Sequence, residues 1–271
     1  MFITRRQKRK VTYISITTVI IILGLYYFLS GPQQTISNVD MLEQENGQEI
    51  LTNGVAYFET TKGYFIQPKT PGNYPGIVMI HEWWGLNENI KKMAEQLAQE
   101  GYLVLAVDLF KGNVATTADQ ARQQTGSLNQ EEALNNLRAA KAYLKEQGAT
   151  TIGSLGWCFG GGQSMQLAIS GEPMDATVIY YGNLVTDEQK ISTIQWPVLG
   201  IFGDQDASIP VGEVNEFDAL LDKLNVQNEI YVYPGVGHAF ANPSGKNYAP
   251  QETQDAWQKT LDFLEKNLKQ N

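Results

Sequence analysis

The chain has 271 residues, with 20 Lys and Arg, 29 Asp and Glu, two His and one Cys. One Cys excludes an intramolecular disulfide, and two His with one Cys form no metal-ligand spacing, so we expect neither a metal nor another cofactor. The excess of acidic over basic residues argues against the positively charged surface with which proteins bind nucleic acid.

The chain begins with a basic cluster followed by an apolar run. Residues 1–10 carry five Lys and Arg, and residues 11–30 carry no charge. Twenty residues at helical rise cover about 30 Å, so residues 11–30 are predicted to be an uncleaved transmembrane anchor. The positive-inside bias then places residues 1–10 in the cytoplasm and the rest outside the cell membrane. A cleaved signal peptide, which would give a secreted protein, is the alternative.

The rest of the chain divides into a polar segment and one domain. Residues 31–54 are rich in Gln, Asn and Glu without periodicity, and are predicted to be a stalk. Residues 55–271 have the length of one α/β domain, which we expect to be monomeric. Without residues 1–30 the chain keeps 15 Lys and Arg against 29 Asp and Glu, a net charge of −14.

Strand-like and helix-like segments alternate through this domain. Residues 55–60 and 63–67 predict a hairpin. Buried strands are predicted at 76–80, 102–107, 152–157, 176–181, 198–202 and 229–233. Helices are predicted at 88–99, behind Cys158, and at 129–147, 211–224 and 250–268. The alternation predicts a mostly parallel sheet with helices on both faces, and reacting groups beyond the carboxyl ends of its strands.

The only cysteine lies where a predicted strand meets a predicted helix. Gly156-Trp157-Cys158-Phe159-Gly160 has the spacing of a nucleophile elbow, with Cys in the usual place of Ser. Glycine is needed on each side because side chains there would collide with the neighbouring strand and helix. The helix N-terminus favours a thiolate. Cys158 is therefore the predicted nucleophile, and a buried inert thiol is the alternative.

A thiol nucleophile needs a base and an acid that orients the base. His81 and His238 are the two candidate bases, and only His238 follows the order nucleophile, acid, histidine. Asp204 and Asp206 compete as the acid within residues 203–210. The spacing G-x-x-D-x-x-I-P favours Asp206 and leaves Asp204 to stabilise the turn.

Two backbone N–H groups are predicted to form the oxyanion hole. One belongs to Phe159, directly after the nucleophile, and the other to Trp83, after the strand at 76–80. Glu82 lies beside the second donor, where its carboxylate could contact the thiol. Possible substrate contacts near these groups are Trp84, Trp157 and Phe240. Trp83 and Trp84 are predicted to line an acyl pocket, with core or rim packing as the alternative.

At these residues the chain resembles the dienelactone hydrolase family of α/β-hydrolases, which is carboxymethylenebutenolidase-like. The matching segments are HEWWGLN at 81–87, DLF at 108–110, GWCFGGG at 156–162, GDQDASIP at 203–210 and GVGHAF at 235–240. The resemblance implies an α/β-hydrolase fold and a triad of Cys158, His238 and Asp206. It also implies that Glu82 is a switch carboxylate that holds or deprotonates the thiol until substrate arrives. The expected activity is hydrolysis of a small ester or lactone.

One departure from the family concerns substrate charge. The founding enzymes bind a substrate carboxylate with an Arg shortly after the catalytic His, where this chain reads Ala239-Phe240-Ala241-Asn242. A second such Arg would follow Asp108, and Arg122 is the nearest candidate. We therefore expect neutral substrates. The alternatives to this hydrolase are a non-catalytic extracytoplasmic binding domain, a thioesterase or a redox-sensing thiol.

Overall fold

A computed structural model describes residues 48–269, in which eight strands form one sheet. The strands are β1 (Ile50–Phe58), β2 (Thr61–Pro68), β3 (Gly76–Ile80), β4 (Leu103–Ala106), β5 (Ile152–Trp157), β6 (Ala176–Tyr180), β7 (Val198–Gly203) and β8 (Asn228–Tyr233). Their order in the sheet is β1-β2-β4-β3-β5-β6-β7-β8. The β1–β2 and β2–β4 pairs are antiparallel, and every pair from β4 to β8 is parallel. The mostly parallel sheet is therefore confirmed.

Helices cover both faces of this sheet. Within residues 48–269 they are α1 (Glu88–Gln99), α2 (Ala118–Gly126), α3 (Gln130–Glu146), α4 (Phe159–Ala168), α5 (Glu188–Ile191), α6 (Val211–Lys223) and α7 (Pro250–Leu268). Alternate residues of β3 enter different cores, because successive side chains of a strand point to opposite faces. Val78 and Ile80 pack in the core that includes α3, α4 and α6, whereas Ile77 and Met79 pack in the core that includes α1 and α7.

The hairpin begins earlier than the sequence indicates. Residues 50–54, which the sequence predicts to be part of the stalk, belong to β1 and pair with β2 from Ile50 opposite Pro68 to Gly54 opposite Tyr64. Strand β1 lies at the edge of the sheet, and positions 51–54 are exposed. An exposed edge strand is held by its backbone hydrogen bonds and needs no apolar pattern, so this part of β1 has no sequence signal.

Helix α2 occupies part of the polar loop predicted after Asp108. It begins with a capping box, in which the Thr117 side chain accepts from the backbone N–H of Gln120 and the Gln120 side chain accepts from the backbone N–H of Thr117. Ala121 is the one residue of α2 that is buried. A helix that buries so little side-chain surface shows no apolar period, which is why the pattern missed it.

The predicted basic N-terminus, the anchor at 11–30 and residues 31–47 of the stalk lie outside the described residues. None of the helices between residues 48 and 269 is long and apolar enough to span a bilayer. The anchor therefore stays a prediction from the sequence.

Candidate active site

Cys158 lies in the sharp turn between β5 and α4. Its φ of 54° and ψ of −116° are unusual for a residue other than glycine. A Cβ atom at Gly156 would lie 2.1 Å from the Gly160 carbonyl oxygen, and one at Gly160 would lie 2.3 Å from the Ile80 carbonyl oxygen. Both distances are far inside van der Waals contact. The turn therefore requires glycine at both positions, as the elbow spacing predicts, and it leaves the thiol partly exposed.

His238 lies between the Cys158 thiol and the Asp206 carboxylate. Its Nε2 is 3.1 Å from Cys158 Sγ, and its Nδ1 is 2.8 Å from Asp206 Oδ2. The other carboxylate oxygen of Asp206 accepts from the backbone N–H groups of Ser208, at 2.8 Å, and Ile209, at 3.2 Å. The three side chains follow β5, β7 and β8, whose carboxyl ends share one edge of the sheet.

The environment of His238 favours its protonated form, the imidazolium. Burial lowers the pKa of His238, but hydrogen bonds to Asp206 and Cys158, and the negative charges of both, raise it to about 10. Burial raises the pKa of Asp206, and the hydrogen bonds from His238 and the two backbone N–H groups outweigh that effect and hold the pKa below its usual range. Asp206 therefore stays ionised and orients His238 through Nδ1.

Asp204 and His81, the alternative candidates for the acid and the base, have other contacts. Asp204 is exposed, and its Oδ1 accepts from the backbone N–H of Gly235 at 2.7 Å, so it stabilises the adjoining turn. His81 is fully buried, with Nδ1 2.7 Å from the Glu82 carbonyl oxygen and Nε2 3.1 Å from the backbone N of Leu109. With both nitrogens occupied, His81 has no free nitrogen to act as a base.

Glu82 is a buried carboxyl group beside the triad. It is 3% exposed, and its Oε2 lies 2.5 Å from Asn242 Nδ2. Asn242 Oδ1 in turn accepts from Ser244 N at 2.9 Å and Ser244 Oγ at 2.7 Å, which fixes the orientation of the amide. Burial raises the pKa of Glu82 to about 7, against the charge of His238 and the hydrogen bond from Asn242. Glu82 therefore titrates near neutral pH.

The raised pKa of Glu82 predicts that Glu82→Gln stabilises the protein at alkaline pH. A carboxyl whose pKa rises from 4.5 to about 7 on folding stabilises the fold when protonated. That contribution is complete below pH 4.5 and is lost as the pH rises through 7. Glutamine stays neutral throughout, so the variant should gain at most about 3 kcal/mol above pH 8 and nothing at acid pH. Thermal unfolding of both proteins across this range measures the difference.

The exposed Glu131 provides the control for this measurement. Glu131→Gln makes the same chemical change on the surface of α3 and should leave the dependence of the unfolding midpoint on pH unaltered. Midpoints of the wild-type protein and Glu82→Gln that stay parallel from acid to alkaline pH would contradict the prediction.

Two backbone N–H groups of the candidate site have no acceptor within residues 48–269. They are those of Phe159, the first residue of α4, and Trp83, in the loop after β3. The first N–H groups of a helix lack an intrahelical acceptor, so Phe159 N–H is free for a ligand. These are the two groups predicted for the oxyanion hole, and both remain available to a negatively charged oxygen.

Of the aromatic residues predicted to contact substrate, two lie in the core. Trp157 is 2% exposed and packs against Tyr180, and Phe240 is 0% exposed. A ring without accessible surface cannot touch substrate, which corrects the expectation for both. Trp84 is half-buried and packs edge-on against Trp83, with ring centroids 5.0 Å apart, so part of its surface remains open.

The two residues considered for binding a substrate carboxylate, Arg122 and Asn242, have other partners. Arg122 lies on α2, where its guanidinium is 2.5 Å from Asp119 and both side chains are largely exposed. It has no contact with the triad among the described residues. Asn242 is 6% exposed, and its amide donates to Glu82 instead. The burial of Asn242 corrects the expectation for that residue, and a substrate contact by Arg122 stays a prediction.

Two residues that pack against the site, Tyr181 and Gln124, are not among those predicted from the sequence. The buried ring of Tyr181 packs edge-on against His238, with centroids 5.3 Å apart, and burial followed by the charges of Glu82 and Cys158 raises its pKa. Gln124 of α2 donates to the Trp83 carbonyl at 2.5 Å. The place of Tyr181 at the site could be predicted, because this residue ends a predicted strand at the same edge of the sheet as the elbow. No sequence pattern indicates a role for Gln124, because the helix that carries it, α2, is not predicted from the sequence.

The similarity to known proteins spans this whole domain. The sequence model of the dienelactone hydrolase family matches residues 61–268. A Saccharolobus solfataricus protein, provisionally named a carboxymethylenebutenolidase, is 29% identical over 69% of this chain and 88% of its own length. Protein usf of Aquifex pyrophilus is 32% identical over 81% of this chain and 97% of its own. The crystal structure of a provisionally named Klebsiella pneumoniae dienelactone hydrolase has a TM-score of 0.73 at 26% identity, covering 79% of this chain and 98% of that one.

Proposed function

The chain belongs to the dienelactone hydrolase family, and we propose that it hydrolyses an ester or lactone of a small molecule through an acyl-thioenzyme on Cys158. Family membership and the relatives named as carboxymethylenebutenolidases support a lactone or ester hydrolase. The observation that carries the finer proposal is the hydrogen-bonded chain from Cys158 through His238 to Asp206. That arrangement supplies a nucleophile, a proton carrier and a group that orients the carrier.

In the proposed reaction, the Cys158 thiolate attacks the substrate carbonyl carbon. The N–H groups of Trp83 and Phe159 stabilise the oxyanion as the C–S bond forms. The C–O bond then breaks, and His238 gives its proton to the leaving oxygen. Water attacks the thioester as His238 takes its proton, and the breaking C–S bond releases the acid and restores the thiolate. Asp206 keeps the imidazole in one orientation through both steps.

Glu82 takes the role of the switch carboxylate in this proposal. It is buried beside His238, and a pKa of about 7 allows it to accept a proton and return it near neutral pH. Its carboxylate is hydrogen-bonded to Asn242 and not to the thiol, so contact with Cys158 requires a change of partner. The role therefore rests on the chemistry of the group together with the family resemblance.

Turnover of a p-nitrophenyl ester by the full-length chain tests this function. A hydrolase releases p-nitrophenol in an initial burst and then at a steady rate, and its acylated form carries the acyl mass on Cys158. A non-catalytic binding domain or a redox-sensing thiol gives no steady turnover. A thioesterase turns over an acyl thioester faster than the matched ester. Absence of turnover with a panel of neutral esters and lactones would reject the proposal.

We expect neutral esters or lactones to be better substrates than anionic ones. Within residues 48–269 no Lys or Arg contacts Cys158, His238 or Glu82, so a substrate carboxylate would lack a charged partner. Hydrogen bonds to charged groups are worth roughly 1.5–3 kcal/mol, so kcat/KM for the carboxylate should be about ten- to a hundredfold lower. Steady-state kinetics on a carboxylate-bearing ester and its neutral methyl ester measure this ratio.

Variants at Asn242 provide the control for substrate charge. Asn242 is buried against Glu82, so Asn242→Arg would act through its charge and not by direct contact with the substrate. It should narrow the difference between the two substrates, whereas the uncharged Asn242→Gln should leave the ratio as it is. A preference of the wild-type protein for the free carboxylate would contradict the prediction and indicate another cation. Arg122→Ala would then show whether Arg122 supplies that cation.

A further inference from the structure

His81 is a buried imidazole that exchanges no proton in the proposed reaction. It is 0% exposed and directly precedes Glu82 in the loop after β3. Burial lowers the pKa of His81 and outweighs the hydrogen bond to the Glu82 carbonyl and the charge of Asp108, which both raise it. The ring is therefore neutral at neutral pH. A neutral imidazole has one donor nitrogen and one acceptor nitrogen, and the partners decide which is which.

The partners of His81 select a single tautomer. Its Nδ1 lies 2.7 Å from the carbonyl oxygen of Glu82, which only accepts, so Nδ1 carries the hydrogen. Its Nε2 lies 3.1 Å from the backbone N of Leu109, which only donates, so Nε2 is the acceptor. The other tautomer would place two acceptors opposite each other and two donors opposite each other in a buried site. His81 is therefore held as a donor to the Glu82 carbonyl.

The Glu82 carbonyl belongs to the same peptide group as the Trp83 N–H. A trans peptide is planar, and its C=O and N–H point in opposite directions. The oxygen also accepts from the backbone N–H of Gly85 at 3.1 Å, so two donors hold it. Fixing the direction of this C=O fixes the direction of the Trp83 N–H. The next carbonyl along the chain, that of Trp83, is held by Gln124 at 2.5 Å.

The same imidazole packs against Phe159, which carries the other N–H predicted for the oxyanion hole. The rings of His81 and Phe159 are near-parallel, with centroids 5.9 Å apart and an angle of 19° between their planes. On another side Phe110 packs at 4.8 Å with an angle of 48°. The first turn of α4 also backs onto this loop, because a Cβ at Gly160 would lie 2.5 Å from the His81 carbonyl oxygen. One buried ring thus contacts the peptide group that carries the Trp83 N–H and the side chain of Phe159.

We propose that His81 is a positioning residue that aims the Trp83 N–H into the oxyanion hole by donating from Nδ1 to the Glu82 carbonyl. The inference rests on the proposed function, because it assigns an oxyanion to this N–H. If His81 only filled the core, every variant of equal stability would have the same activity. If it positions the peptide, activity depends on which of its two hydrogen bonds a variant retains.

Two variants of His81 each retain one of its two hydrogen bonds and lose the other. In His81→Asn the side-chain amide N lies near the place of Nδ1 and keeps a donor to Glu82, while the bond from Leu109 is lost. In His81→Gln the longer side chain brings its carbonyl near the place of Nε2 and keeps an acceptor for Leu109, while Glu82 loses its side-chain donor. Both variants lose the aromatic ring, so the loss of packing against Phe110 and Phe159 is common to the pair.

We expect kcat for a p-nitrophenyl ester to depend on the donor to Glu82. In the full-length protein, His81→Gln should lower kcat about ten- to a hundredfold, which is part of the cost of losing an oxyanion donor, and His81→Asn should lower it less than about fivefold. The KM should stay similar in both, because the oxyanion exists only after attack. The rate of alkylation of Cys158 by iodoacetamide, measured against pH, should match the wild type in both variants.

Equal losses of kcat in the two variants, or losses that follow the thermal unfolding midpoint, would overturn the proposal. So would a shift of the alkylation profile that accounts for the loss of activity. The wild-type protein provides a test without substitution, because ¹⁵N chemical shifts of its ring should show the neutral tautomer of His81 with hydrogen on Nδ1. Hydrogen on Nε2 would overturn the proposal. A wild-type protein with no esterase activity would instead reject the proposed function.

Discussion

Cys158→Ala is expected to lower kcat for ester hydrolysis by at least about 10⁴-fold, on the scale of nucleophile deletions in enzymes with a Ser-His-Asp triad. No acyl-enzyme can form without the sulfur, and the oxyanion donors that remain accelerate only the attack of water. The fold should persist, because alanine keeps the Cβ atom that already tolerates the left-handed φ of 54° at this position. Steady-state turnover and the thermal unfolding midpoint of the same preparation measure both expectations.

Cys158→Ser is the matched variant, since it replaces the thiol with a hydroxyl of similar shape. It should retain little activity, because the imidazolium of His238 stabilises an ionised nucleophile and an alcohol ionises far less readily than a thiol. The pKa of His238 should fall in both variants, since the charge on Cys158 is among its causes. If Cys158→Ala kept a tenth of the wild-type turnover, another residue would be the nucleophile.

The elbow could be predicted from the sequence because its requirements are local and steric. Gly156 and Gly160 stand where a Cβ would lie within 2.3 Å of a backbone oxygen, so no other residue fits the turn. The order of nucleophile, acid and histidine along the chain identified His238 as the base. The spacing of residues 203–210 favoured Asp206 over Asp204 as the acid. The buried parallel strands were equally readable, because strands covered on both faces are continuously apolar.

Other parts of the site depend on contacts between distant segments, which periodicity does not encode. Asn242 and Glu82 are 160 residues apart, and the hydrogen bond between them shows that the side chain at position 242 is directed at the buried carboxylate. Trp157 and Phe240 lie within two residues of Cys158 and His238, the proposed catalytic residues, yet their side chains are buried in the core. Proximity along a strand or loop therefore did not show which side chains reach the substrate.

The second large effect concerns Asp206, the proposed acid of the triad. Asp206→Asn is expected to lower kcat by about 10³–10⁴-fold, on the scale of the same change in a serine protease. An amide nitrogen facing His238 Nδ1 would donate where Asp206 Oδ2 now accepts at 2.8 Å, so the ring would turn or change tautomer. Loss of the carboxylate also removes a cause of the raised pKa of His238 and so disfavours the imidazolium.

Asp204→Asn is the matched control, two residues away in the same turn. Asn keeps the side-chain oxygen that accepts from Gly235, and Asp204 has no contact with His238, so kcat should stay within about twofold. The pH dependence of alkylation of Cys158 provides a second comparison. In Asp206→Asn the thiolate should form at higher pH, because a less basic His238 gives it less support. If Asp204→Asn caused the larger loss of kcat, the assignment of the acid would pass to Asp204, and the spacing argument for residues 203–210 would be wrong.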